Sequence, residues 1–289
     1  MGDVTAQMVK ELREATSAGM MECKKALVEA AGDMEKAVDV LRTHGLAAAA
    51  KKAGRATNEG VIYAAVSDDA KTGVLLEANC ETDFVSANDV FRGYVEKFGQ
   101  AVMQNNPADV DALKESELGG EKIGDVLTEA IHKIGENIQI SRFLRKTTDG
   151  TFAVYTHNGA RLGVLVEFST EKPETTQSDA FKQAARDICL QITATNPGAL
   201  DRDSFAPEVI EHEMSIYKAQ AADSGKPENI QEKIAQGRMN KFYKESALVE
   251  QEFVKDPDVT IKDYLAKVSK GLGDKIAIKA FYRYELGQE

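Results

Sequence analysis

Residues 73–77 read Gly-Val-Leu-Leu-Glu and residues 163–167 read Gly-Val-Leu-Val-Glu, and this echo at a distance of 90 organises the chain. Residues 60–107 lie on 150–197 without a gap: Gly60 meets Gly150, Ala70 meets Ala160, Asp89 meets Asp179, Phe91 meets Phe181, and Asn106-Pro107 meets Asn196-Pro197. Only eleven of the forty-eight positions are identical, but the hydrophobic periods coincide too, and periodicity is the firmer sign of a repeat. Phe91, Tyr94, Val95, Phe98 and Val102 make a helical stripe, which Phe181, Ala184, Ala185, Ile188 and Ile192 repeat at the same steps. Upstream of each stripe stand two strand-like runs, residues 61–66 with 74–80 and residues 151–155 with 164–168.

Each copy closes with a helix and a strand, now at a wider offset that carries Ile123 onto Ile261. Ile123, Val126, Leu127 and Ile134 correspond to Ile261, Tyr264, Leu265 and Leu272, and Gly135 and Gly273 are the helix stops. Strands over 138–143 and 276–281 follow. Each half therefore reads β-β-α-α-β, a small sheet covered by helices in an α+β protein. The widening of the offset measures an insertion in the second copy, placed at 205–255, where Ile210, Met214, Tyr217 and Ala221 follow the steps of a helix-pair seam. Gly225-Lys226-Pro227 marks a stop and restart, so the insertion is expected to be an antiparallel helical hairpin, a coiled coil. Its role is either packing on its own chain or contact with a partner or a second copy. The expected segments are 1–54, 55–146, 147–204 with 256–289, and the inserted 205–255.

Residues 5–44 spell three short helices. The first places Met8, Val9, Leu12 and Ala15 on one face and ends by Gly19; the second buries Cys23, Ala26, Leu27 and Ala30; Asp33 caps the third, which Gly45 closes. Residues 46–56, rich in alanine with Lys51, Lys52 and Arg55, read as a partly helical tether. So small a core is marginal and suits a binding module. Met20 and Met21 are either core or contact, with Lys24 and Lys25 as a cationic rim.

Composition narrows the function. The 289 residues are 43% hydrophobic and 29% charged with a net charge of −11, which suits a multidomain globular protein and disfavours a general nucleic-acid binder. No apolar run is long enough to span a membrane, and three scattered cysteines (Cys23, Cys80, Cys189) suit free thiols in a reducing cytoplasm. Enzyme signals are thin. Gly119-Gly120-Glu121-Lys122-Ile123-Gly124 lacks the Lys-Ser/Thr of a phosphate loop, and Ile216 stands where a zincin beginning at His212-Glu213 needs its second histidine. His44, His132, His157 and His212 are dispersed, and neither a metal nor a cofactor is expected.

A duplicated fold keeps what the fold needs and varies what a site needs. After its second strand the first copy reads Asn79-Cys80-Glu81-Thr82-Asp83-Phe84-Val85-Ser86, whereas the second has the polar Ser169-Thr170-Glu171-Lys172-Pro173-Glu174-Thr175-Thr176. Phe84 in such a turn either tucks into its own core or binds. His157 precedes an Asn158-Gly159 turn and is expected at a solvent-facing tip, as ordinary surface or as a contact.

These residues resemble bacterial elongation factor Ts. The resemblance runs through Val9-Lys10-Glu11-Leu12-Arg13, Ala18-Gly19-Met20-Met21, Cys23-Lys24-Lys25-Ala26-Leu27, Thr82-Asp83-Phe84-Val85, Lys133-Ile134-Gly135-Glu136-Asn137-Ile138, His157-x-Gly159-Ala160-Arg161-Leu162-Gly163, Ser224-Gly225-Lys226-Pro227 and Gly237-Arg238-Met239. It implies a ubiquitin-associated-like domain at 1–54 and a guanine nucleotide exchange factor, with no catalytic chemical step, for the GTPase elongation factor Tu. It further implies that Phe84 is a wedge beside the magnesium site of the GTPase, with Asp83 its polar companion and Thr82 and Val85 shaping the turn. Arg13, Met20, Met21 and Lys24 would grip the nucleotide-binding domain, and Ile134, Gly135 and His157 would add a core contact. Some relatives carry a further helical module after the last strand; the sequence ends at Gly287-Gln288-Glu289, so that contact is expected to be lacking. A homodimer or two-to-two complex is compatible with the hairpin. Two readings from other classes stand beside this one: a protein-binding adaptor without exchange activity, and a hydrolase using His157 with a nearby carboxylate.

Overall fold

The computed structural model describes residues 4–16 and 18–288, so residues 1–3, Ser17 and Glu289 of the expected segments lie outside the described residues. Three helices open it: α1 (Ala6–Thr16), α2 (Met20–Glu29) and α3 (Met34–Lys52). Leu12, Cys23, Ala26, Leu27, Ala37 and Leu41 make their shared core, and Asp33 caps α3 by accepting from Lys36 N at 3.1 Å. Three expectations fail here. Ala15 is exposed, and Gly19 is the N-cap of α2 rather than the end of α1. Gly45 does not close α3, which runs on through the expected tether. A glycine inside a helix costs about 1 kcal/mol against alanine, but this one is buried against α7 (Ile123–Ile134), where an added Cβ would lie 3.6 Å from Thr128 Cγ2. Ala49 joins the first body core beyond it, and Arg42 pairs with Asp125.

The body holds two three-stranded antiparallel sheets. β1 (Glu59–Val66) and β2 (Thr72–Cys80) precede the short α4 (Asp83–Ser86), α5 (Asp89–Asn105) and α6 (Val110–Glu115). A two-residue hairpin, β3 (Glu117–Leu118) with β4 (Glu121–Lys122), leads into α7, and β5 (Gln139–Thr147) completes the order β1-β2-β5. Gly119 and Gly120, at φ 63° and 85°, turn that hairpin. The second sheet is β6 (Thr151–His157), β7 (Leu162–Ser169) and the late β10 (Ala277–Glu285), in the order β6-β7-β10. Between β7 and β10 come α8 (Asp179–Thr195), the hairpin helices α9 (Pro207–Ala222) and α10 (Glu228–Ser246), the strand pair β8 (Glu252–Phe253) and β9 (Asp256–Thr260), and α11 (Ile261–Leu272). The two-residue strands and α6 carry no periodicity that a sequence pattern registers.

Side chains alternate along the central strands and are buried on both sides. Val74, Leu76, Ala78 and Cys80 face the helices of the first core, while Leu75 faces the other sheet, where it meets Phe152 and Leu165. Val164, Val166 and Phe168 face the helices of the second core. The two glycines of the echoed stretch let the sheets close. An added Cβ on Gly73 would lie 2.6 Å from the Leu165 methyls, and one on Gly163 would lie 2.7 Å from Ile62 Cγ2. Two backbone bonds cross between the sheets beside them. Ile62 N donates to Ala160 O at 2.6 Å, and Phe152 N, at the matching place in the second half, donates to Ala70 O at 2.8 Å. Ala70 and Ala160 both hold positive φ, 54° and 71°.

The helical hairpin leaves and rejoins the body at a parallel bridge between Ala199 and Ala247, flanked by Gly198 N donating to Ser246 O at 2.9 Å. Leu248 and Phe253, which lie within the expected 205–255 insertion, pack in the second core. They resume the apolar pattern before the chain resembles the first half again, which the sequence offset alone could not localise. Among the described residues no helix is long and apolar enough to cross a membrane.

Candidate partner-binding site

The turn after β2 is a single helical turn fixed at both ends. Thr82 caps it: its hydroxyl oxygen accepts from Val85 N at 3.3 Å. Glu136, just past Gly135, takes three bonds from the incoming chain. Glu81 N and Thr82 N donate to Oε2 at 2.9 and 3.0 Å, and Thr82 Oγ1 donates to Oε1 at 2.6 Å. Gly135 makes this possible by ending α7 at φ 88°. At the far end Arg92 of α5 donates from Nε to Ser86 O at 3.0 Å. Ser86 is buried and Val85 packs on the first core, so the turn is seated on those two residues. Phe84 is 83% exposed. Of the two placements left open by the sequence, the structure takes the solvent-facing one. Asp83 is also exposed, on the first turn beside it.

The second half sets the contrast. Asp274, which follows Gly273 as Glu136 follows Gly135, likewise takes Glu171 N and Lys172 N at 3.0 and 3.2 Å. A hydrogen bond from the Thr175 hydroxyl and these backbone N–H groups hold the Asp274 carboxyl below the ordinary carboxylate value. The chain then forms a 3-10 turn, Pro173–Gln177, with Glu174 exposed where the first half presents Phe84.

His157 ends β6 beside a tip whose residues 158–160 all have positive φ. It is exposed, and Tyr155 Oη lies 3.1 Å from its Nδ1. That partner is a phenol rather than a carboxylate. The same tip reaches the first half, because Arg92 Nη2 donates to Gly159 O at 2.9 Å. The fold thus brings the turn at residues 82–85, Gly135 and His157 to one region, with Ile134 half-buried against the first core.

Met20 and Met21 are 57% and 64% exposed at the start of α2, and Arg13 and Lys24 are exposed on the same module. Glu22 fastens that end of α2 to the body: its Oε2 lies 3.2 Å from Gly19 N and 3.0 Å from Nε2 of His132 on α7. Glu136, Arg92 and His132 were not singled out from the sequence. Glu136 had a signal, since the carboxylate after the helix-stopping glycine recurs as Asp274; the pairing of Arg92 with the distant Gly159 had none.

Among the described residues no group of three His, Cys, Asp or Glu side chains could hold a metal ion. Burial pushes the thiols of Cys80 and Cys189 up to about 12, out of the nucleophilic range. These elements hold apolar side chains in water on a backbone fixed by polar bonds. A family model described as elongation factor TS matches residues 81–288. Elongation factor Ts of Trichlorobacter lovleyi is 45% identical over 289 residues, which cover 99% of this chain and 93% of that protein. Elongation factor Ts of Clostridium acetobutylicum is 47% identical over 288 residues with the same coverage, and that of Clostridium botulinum (strain ATCC 19397 / Type A) is 46% identical over 289. The chain belongs to the elongation factor Ts family.

Proposed function

We propose that this protein binds elongation factor Tu in the cytoplasm and promotes release of its GDP by disturbing the magnesium site of the GTPase. The observation that carries the reading is Phe84, 83% exposed on a turn whose two ends are tied by Glu136 and Arg92. An apolar ring held in water on an unyielding turn is arranged to be pressed into something else. Thr82 and Val85 shape the turn and Asp83 accompanies the ring. Arg13, Met20, Met21 and Lys24 grip the GTPase from a ubiquitin-associated-like module, and Ile134, Gly135 and His157 add a contact from the body. The exchange factor needs no catalytic group: it accelerates release by binding the nucleotide-free state better than the GDP state, since only differential affinity shifts an equilibrium. By linkage, GDP weakens its binding by the same factor.

The positional correspondences favour reading the body as one unit written twice. Gly60 with Gly150 and Gly73 with Gly163 have no room for a side chain, and Ala70 with Ala160 and Asn106 with Asn196 share a positive φ. The hairpin at 207–246 is then an insertion into the second copy.

Magnesium tests the mechanism. Release of fluorescent GDP from elongation factor Tu is followed with this protein at varied free Mg²⁺ and constant ionic strength, because screening alone mimics part of the effect. Higher Mg²⁺ should weaken the complex and slow stimulated release. Affinity flat across Mg²⁺ refutes displacement of the metal and favours an adaptor docking elsewhere.

A further inference from the structure

Resting on the reading of Phe84 as the wedge, we infer that Arg92 is a positioning residue that locks the Phe84 turn and the His157 tip into one jaw. Its adjacent Nε and Nη2 donate to Ser86 O at 3.0 Å and to Gly159 O at 2.9 Å. The first carbonyl belongs to the last residue of α4, and the second to the turn just beyond His157. A planar guanidinium presents two donors in a fixed relation, so it sets the spacing of the two backbones it bridges.

The second half shows that the fold itself does not require this bridge. The matching position there is Lys182, which has no guanidinium fork with which to repeat the bridge. Glu136 differs in this respect, because Asp274 repeats its backbone bonds in the second half. The carboxylate clamp therefore serves both sheets alike, whereas the guanidinium bridge occurs only where a phenylalanine is presented. An exposed ring pressed against a partner transmits its load to the turn that carries it. Glu136 resists at the N-terminal end of that turn. Arg92 resists at the C-terminal end and passes the load through Gly159 to the second sheet.

The test compares wild type with Arg92→Lys, Phe84→Ala and the double variant. Lysine keeps the charge and most of the stem but lacks the rigid planar fork that fixes the spacing of the two carbonyls. Thermal melting checks folding, and stimulated GDP release gives the rate at saturation and the half-saturating concentration separately. Arg92→Lys should lower the saturating rate about three- to tenfold, the scale of one ordinary net hydrogen bond, with melting and half-saturation little changed. In the Phe84→Ala background the same substitution should do almost nothing, because the jaw then has no ring to hold. Wild-type release by Arg92→Lys overturns the assignment, and so does a full multiplicative loss in the double variant. If Phe84→Ala alone releases GDP at the wild-type rate, the wedge reading itself has failed. Arg92→Ala serves as the second variant and should reproduce the rate loss.

Discussion

Phe84→Ala should separate folding from function. With the residue 83% exposed, folding buries little of it. Full burial of a phenylalanine side chain is worth about 3 kcal/mol at most, so truncation should change stability by less than ~0.5 kcal/mol. For a chain of this size that moves the melting midpoint by about 1–2 °C. In the complex the same ring has most of its surface still to lose. With 83% of that surface exposed, the same scale sets an upper bound of ~2.5 kcal/mol for burying the ring against a partner. Ordering costs and incomplete burial reduce this to about 1–2 kcal/mol, or roughly five- to thirtyfold in stimulated release. The assay is stopped-flow release of fluorescent GDP from elongation factor Tu, read beside a melting curve of the free variant. A variant that unfolds while keeping normal release per folded molecule would refute the reasoning, because the ring would then be core.

Deleting residues 1–54 should leave a body that folds but melts several degrees lower, since α3 lends Ala49 to the first core and Lys52 Nζ donates to Ile131 O at 3.4 Å. The deleted form should bind elongation factor Tu poorly; full affinity and rate in a titration would show that Met20, Met21 and Lys24 do not grip. Asp274→Asn should destabilise the protein at neutral pH. The folded carboxyl is depressed below its unfolded value of 3.8, so its contribution is present above that pH and is lost as pH falls through the folded value. Acid titrations of wild-type and variant stability should therefore converge in strong acid, and a constant gap would refute the assignment. The three cysteines are buried, so a thiol reagent should label native protein slowly and react fully only in denaturant; fast labelling of Cys80 would show that the turn above it opens readily.

The sequence echo at a distance of 90 is legible because its shared positions fall where space or backbone conformation is restricted. Gly73 and Gly163 must be small where the sheets meet, and Asn106 and Asn196 adopt the left-handed conformation that ends their helices. Phe84 was legible as a difference between halves, though its exposure was not, because one apolar residue in a turn has no period to show which way it faces. Gly45 misled for the opposite reason. Its helix-stop signal is local, while the contact with Thr128 that makes a glycine useful there lies across the chain. Glu136 had a signal in its recurrence as Asp274, whereas Arg92 acts through two backbone carbonyls, which carry no side-chain signature in sequence.

The bridge between Ala199 and Ala247 also bears on how the chain finds its fold. In the first half β2 ends at Cys80 and its partner β5 begins at Gln139. In the second, β7 ends at Ser169 and β10 begins only at Ala277, nearly twice as far along the chain. Closing the longer loop would cost about 0.5 kcal/mol more in chain entropy, by the logarithmic dependence on length. The two helices between can form and pair locally, and once their base is joined the segment from Ala199 to Ala247 no longer counts towards the loop. The effective distance then falls almost to that of the first half. Lengthening the hairpin at its tip, around Gly225, should accordingly leave the refolding rate of the body nearly unchanged, while separating its base should slow pairing of the last strand.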